Sequence, residues 1–157
     1  MDHSERAKQN FLSGYSCAQA VLLAFSDLTG LDEKTALLIS SSFGGGMGRM
    51  RETCGAFCGI IMVAGLLYGY TDPKAFDMKS EHYKRVQELA AAFREKNGSI
   101  ICREMLGAAG ADKNPTPEKR TAEYYKKRPC PEICANAAKA LDDYIEKNPI
   151  IYKENEK

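Results

Sequence analysis

The chain has no tryptophan and only two histidines, His3 and His82. His3 stands near the start and His82 in a charged segment, so both read as solvated side chains. Cys–His nucleophile pairs and mixed Cys/His zinc sites are therefore not expected. No CxxC pair occurs, which removes zinc ribbons, thioredoxin-type dithiols and covalent haem attachment. Neither sign of charge dominates: 22 Lys+Arg stand against 21 Asp+Glu, a formal net charge of +1. Nothing in that balance recruits nucleic acid or an anionic membrane. The opening residues MDHSERAKQN have no apolar core of a secretory signal, so the expectation is a reducing, cytoplasmic setting. Period-2 alternation is missing as well, which argues against strands.

Long apolar runs are also scarce. The exception is TCGAFCGIIMVAGLLYGYT, residues 53–71, which carries no charge. It approaches membrane-span length, but its threonines, cysteines and tyrosines suit a buried central helix better, and membrane insertion is not expected. The pairs Gly55/Gly59 and Gly65/Gly69 would let such a helix pack closely.

What the chain does have is sulfur: six cysteines in 157 residues. The periodicity predicts an all-α, compact single-domain bundle of about six to eight helices around that central helix, at about 54–70. A first helix spans about 3–12. Ser16 and Gln19 form a capping box for a second, carrying Val21, Leu22, Phe25 and Leu28 and ending at Gly30. A third runs from about Asp32 to Ser42 into a glycine-rich loop. Asp72-Pro73 opens a long charged helix with an apolar stripe of Phe76, Tyr83, Val86, Leu89, Ala90 and Phe93, closed by Asn97-Gly98. Ser99 caps a short helix through Leu106. Residues 107–118 read as loop, and a polar helix with a basic, solvated face covers roughly 117–127. The last helix begins at Pro131, buries Ile133, Ala137, Leu141 and Ile145, and stops at Asn148-Pro149. The tail, about 148–157, reads as frayed.

On this map four cysteines fall in the first turns of four helices: Cys17 after Ser16, Cys54 after Thr53, Cys102 after Ser99, and Cys130 at the cap before Pro131. First turns offer unpaired N–H groups and the positive end of the helix dipole, so these thiols are expected to have lowered pKa values. Cys58 and Cys134 each follow one of them by four positions on the same helix face and point toward a common interior. Each cysteine singly, Cys58 and Cys134 included, reads more readily as a small core residue, but independent core packing does not explain the shared location of the four first-turn thiols. The loop FGGGMGRMRET lacks the lysine-hydroxyl ending of a phosphate-binding loop. Its glycines, Gly45, Gly46 and Gly48, permit close backbone approach to a bound group, and Arg49 and Arg51 add positive charge beside Cys54. Gly45, Gly46, Gly48, Arg49, Cys58 and Cys134 are accordingly candidate cofactor-binding residues.

The segments GYSCAQAVL, FGGGMGRMRETCGAFCG, CREMLG and CPEIC resemble the family named C_GCAxxG_C_C, described as redox-active. Its signature is four separated cysteines, the second opening a CGAxxG motif, here Cys54-Gly55-Ala56-Phe57-Cys58-Gly59. The resemblance runs from about residue 13 to 140 and implies that Cys17, Cys54, Cys102 and Cys130 are the functional thiols of a small helical protein. Cys58 and Cys134 lie outside the signature.

Three functions are consistent with these residues. The first is a redox or electron-transfer protein, an oxidoreductase in the broad sense, holding an iron–sulfur cluster or another thiolate-bound metal such as zinc on Cys17, Cys54, Cys102 and Cys130. It would exchange electrons with a redox protein partner whose identity the sequence does not give, nor does it give the oligomeric state. The second is metal-free thiol–disulfide exchange, with Cys54/Cys58 or Cys130/Cys134 as attacking and resolving sulfurs. The third is a helical interaction or transporter-accessory module with buried cysteines.

Overall fold

The structure, a computed structural model, describes residues 1–152. Its helices are α1 (His3–Leu12), α2 (Cys17–Ala24), α3 (Ser26–Thr29), α4 (Glu33–Ser40), α5 (Gly44–Met47), α6 (Gly55–Tyr68), α7 (Phe76–Asn97), α8 (Cys102–Leu106), α9 (Ala122–Lys127) and α10 (Cys130–Lys147), with a 3-10 turn at Gly107–Ala111. Six of these have eight residues or more, and the rest are single turns that shape connections. Among the described residues there is no strand, only an isolated antiparallel bridge between Thr53 and Ile101. The expected all-α class is what the chain adopts.

The uncharged stretch is the central helix α6, packed against α2, α7 and α10. Ala56, Ile60, Val63, Ala64 and Leu67 on it are fully enclosed. Its meeting with α2 depends on two missing side chains. A Cβ on Gly55 would stand 2.4 Å from the Cys17 sulfur, and one on Gly59 would stand 2.8 Å from Cβ of Val21. At 14 residues α6 is short, and among the described residues no helix is long and apolar enough to cross a membrane.

The capping box at Ser16/Gln19 forms as expected, and Asp32 caps α4 by accepting the Thr35 N–H at 2.9 Å. Other boundaries differ. The helix expected to reach Gly30 breaks at Phe25, whose φ of −100° and ψ of 19° separate α2 from α3. The long helix starts at Phe76 and not at Pro73, because Asp72 closes a turn of its own by accepting the Lys74 N–H. Its expected stripe is also only partly internal: Leu89, Ala90 and Phe93 are buried, whereas Phe76 and Tyr83 face outward. Arg85 takes an inward place, its Nε donating to the Tyr144 hydroxyl at 2.9 Å and its guanidinium lying 4.7 Å over the Tyr68 ring.

The start of the frayed tail is tied down. Ile151 and Tyr152 both donate N–H to the Leu67 carbonyl, and the Tyr68 hydroxyl donates to that of Asn148. The remainder of the expected tail, 153–157, lies outside the described residues. His3 is likewise not a solvated terminal group. It stacks on Phe25 at 4.2 Å between centroids, with Asp142 at 2.7 Å from Nδ1 and Asp27 at 3.0 Å from Nε2. The contact ties α1 to α3 and α10.

A candidate thiol site walled by arginines

The four first-turn cysteines come from remote points of the chain and line one cavity of about 450 Å³. Each arrives by its own local rule. Cys17 opens α2 directly after its capped start, and the bare Cα of Gly55 leaves room for its sulfur. Cys54 is itself the N-cap of α6, in place of the expected Thr53, because Thr53 is held in the bridge to Ile101. Ile101, and not Ser99, caps α8, with Cys102 as its first residue. Ser99 instead accepts the Ile101 N–H at 2.9 Å. Cys130 is the first residue of α10, one position further in than expected, with Pro131 second.

The glycine-rich segment is folded, not a flexible connector. Gly45, Gly46 and Gly48 have positive φ, as do the non-glycine residues Met47, Arg49 and Arg51 at 65°, 64° and 62°. Three such residues in one loop store backbone strain that the surroundings must hold in place. Pairing with 100–103 does this: Cys54 N–H donates to Ile100 O at 2.7 Å, Cys102 N–H to Glu52 O at 2.7 Å, and Arg103 N–H to Arg51 O at 3.2 Å. Gly46 is where the two segments nearly touch, since a Cβ there would fall 2.6 Å from that of Cys102. Gly45, Gly48 and Arg49 line the cavity, whereas Gly46, Cys58 and Cys134 stand behind its wall. Cys58 and Cys134 are buried in the helix core.

Arginines supply most of the charge. Arg49, Arg51, Arg120 and Arg128 line the cavity, with Glu118 the acidic residue among its walls. Arg49 donates to the carbonyls of Asn114 and Thr116 and pairs with Asp112, so it fastens the 112–118 segment over the site. Arg51 is 3% exposed and addresses Cys102: its Nη1 lies 3.8 Å from the Cys102 sulfur and its Nε donates to Asp112 O at 2.9 Å. Arg128 pairs with Glu118, and Arg120 donates to the carbonyls of Phe11 and Tyr15 while stacking 4.1 Å over the Phe11 ring.

Arg120, Tyr124 and Arg128 come from the run KRTAEYYKKR, whose sequence reads as a solvated basic face. A signal for one of them was present: Arg128 precedes Cys130 by two positions, much as Arg51 precedes Cys54 by three.

At Cys54, Cys102 and Cys130 the expected lowering of the thiol pKa values does not occur. Burial pushes the Cys54 thiol well up, and its neighbour Cys17 adds to the effect, although the N–H groups of Ala56 and Phe57 favour the thiolate. Burial also raises Cys102, against the opposing pull of Arg51, and brings Cys130 to about 12. Desolvation outweighs the helix termini because these first turns face the interior instead of water. Burial thus favours the thiol form at Cys54, Cys102 and Cys130, and a cationic centre binding there would have to displace their protons.

The donor set suits such a centre in kind. Four thiolates make a metal centre anionic overall, which the arginine-rich wall favours. A single tetrahedral ion requires its sulfurs at about 2.3 Å from one point. Among the described residues no three His, Cys, Asp or Glu side chains are gathered tightly enough to hold one ion. The thiols instead line one cavity of about 450 Å³.

No curated protein and no solved structure matches the chain. The family described as "Putative redox-active protein (C_GCAxxG_C_C)" matches residues 15–144. The chain belongs to that family.

Proposed function

We propose that this chain is an electron-transfer protein that holds an iron–sulfur cluster on the thiolates of Cys17, Cys54, Cys102 and Cys130. The observation that carries the proposal is their convergence on one arginine-walled cavity. A cluster extends over several atoms, so its ligands ring a wider space than those of a zinc ion, in keeping with a cavity of about 450 Å³. When bound it supplies one-electron transfer at a potential set by neighbouring charge and hydrogen bonds. The chain's residues do the rest. Arg51 and Arg128 favour the anionic, deprotonated state of the site. The Ala56 and Phe57 N–H groups support the sulfur of Cys54. Phe11, Met105, Leu106 and Ile133 keep the cavity wall apolar and limit water. A separate redox protein delivers and removes the electrons.

Metal-free exchange through Cys54/Cys58 or Cys130/Cys134 is less well supported. The second member of each pair is absent from the cavity wall, and burial pushes the attacking thiols up, Cys54 well above its ordinary value and Cys130 to about 12, which disfavours the attacking thiolate.

The test is iron, acid-labile sulfide and zinc analysis with a visible spectrum on anaerobically purified protein. Iron and sulfide are expected in wild type and in Cys58→Ser and Cys134→Ser. Both are expected to be lost, with helical circular dichroism kept, when the four cavity cysteines are changed to serine. Wild-type protein without iron and sulfide removes the proposal.

A further inference from the structure

On one side the thiol cavity is separated from solvent by a single layer of chain. Residues 111–119 are all exposed and α9 buries none of its residues, yet Pro115, Pro117, Glu118 and Tyr124 of this stretch line the cavity. The charges of the layer are sorted between its two sides. Its acids are tied: Asp112 pairs with Arg49, Glu118 with Arg49 and Arg128, and Glu123 with Lys127. Its arginines fold back, Arg120 over the Phe11 ring at 4.1 Å and Arg128 over the Tyr124 ring at 5.2 Å. Solvent is left facing lysine: Lys113, Lys119, Lys126 and Lys127 are all exposed. In a chain of net charge +1 this is a local positive excess. The layer is also held in place, because Arg120 donates to the carbonyls of Phe11 and Tyr15 and the Tyr125 hydroxyl donates to that of Leu12.

We infer that the outer face of residues 111–127 is where the electron-transfer partner docks, and that this partner is a small redox protein with an acidic surface around its own centre. The inference rests on the redox reading and names the kind of partner that reading requires. Electron transfer weakens steeply with distance, so a partner must sit where little protein separates it from the site. Here Tyr124 reaches from the cavity wall to an edge-on contact with Tyr125 at 5.4 Å, and both rings belong to the layer that meets solvent. The lysines supply the recognition. A positive face steers an acidic protein into encounter, repels a basic one, and lets go readily because exposed ion pairs are individually weak. A layer already fixed by Arg120 and Tyr125 loses little freedom when it is covered.

The test is an NMR titration of the isotope-labelled, full-length chain at low ionic strength with two probes: a plant-type ferredoxin, which is acidic, and a c-type cytochrome, which is basic. Ferredoxin should bind saturably, more weakly as salt is added, with amide shifts centred on residues 111–127, and the cytochrome should not bind. Changing Lys113, Lys119, Lys126 and Lys127 together to Glu should weaken ferredoxin binding about tenfold or more, as four modest ion pairs are lost at once. The same change at Lys34, Lys74, Lys84 and Lys96, exposed lysines outside the stretch, alters net charge equally and should leave the affinity within about twofold. If circular dichroism shows the first variant unfolded, glutamine replaces glutamate at its four positions and a severalfold weakening is expected. Absence of saturable ferredoxin binding, equal binding of the cytochrome, or shifts centred elsewhere, as on exposed Leu38, Ile39 and Met50, overturns the inference. So does equal weakening by the control set. Metal analysis of the same samples separates the two proposals: iron without ferredoxin binding sinks this inference alone, and ferredoxin binding without iron sinks the cluster alone.

Discussion

Replacing Gly55 by alanine adds one methyl group at the junction of α6, α2 and the thiol cavity. The added Cβ would lie 2.4 Å from the Cys17 sulfur, 2.7 Å from the Phe43 carbonyl oxygen and 3.2 Å from the Ala18 nitrogen. Two of these neighbours are backbone and cannot rotate aside, so α6 must shift from α2. Overpacking of this kind costs about 2–3 kcal/mol. For a chain of this size that corresponds to a fall in Tm of about 4–12 °C. The control is Gly65→Ala on the same helix, where a Cβ meets nothing within 4 Å. There the gain in helix propensity should stabilise by about 0.5–1 kcal/mol. Thermal unfolding followed by circular dichroism at equal concentration reads both variants. Propensity alone predicts that the two behave alike, so a Gly55→Ala protein matching Gly65→Ala in Tm would refute the packing of α6 on α2 and the position of Cys17 derived from it.

Other expectations concern the core and the site. Serine at Cys17, Cys54, Cys102 and Cys130 should remove iron and sulfide and leave the helices, as read by metal analysis and circular dichroism. Burial raises Cys58 from 9.0 to about 11 and Tyr68 from 10.0 to about 12, so the folded chain holds both protons more firmly than the unfolded one. Their stabilising contribution is complete below about pH 9 and is lost as pH rises through these values. Urea unfolding from pH 8 to 11 should show that decline, and it should be shallower in Cys58→Ala. Arg85 is 7% exposed, donates to the Tyr144 hydroxyl and the Tyr68 carbonyl, and stacks on the Tyr68 ring. Arg85→Met should cost about 2–4 kcal/mol in urea unfolding, and Arg85→Lys should not restore it fully.

Legibility in the sequence followed the range of the interaction. The capping box at Ser16, the arrest at Gly98, the uncharged α6 and the four helix-start cysteines are properties of a few adjacent residues, and each could be read directly. The start of α7 was misplaced because a Pro after an Asp suits a turn as well as a helix. Phe76 and Tyr83 looked internal because periodicity marks a helix face without saying how far the neighbouring helices cover it. The basic run at 119–128 looked solvated because composition cannot distinguish a charge facing water from one folded back onto a ring and a carboxylate.

The sequence by itself determined the helical class, the central uncharged helix and the placing of the four thiols near helix starts, since caps, glycines and apolar spacing act within one or two turns. Tertiary structure alone decided that those helix starts face inward around a common cavity, that Arg51, Arg120 and Arg128 wall it, and that Cys58 and Cys134 stand behind it. At Cys54, Cys102 and Cys130 it also reversed the expected direction of the pKa shifts. A helix terminus acts on a thiol through local dipoles, whereas desolvation depends on every element packed around it, and at these sites the packing is the larger effect.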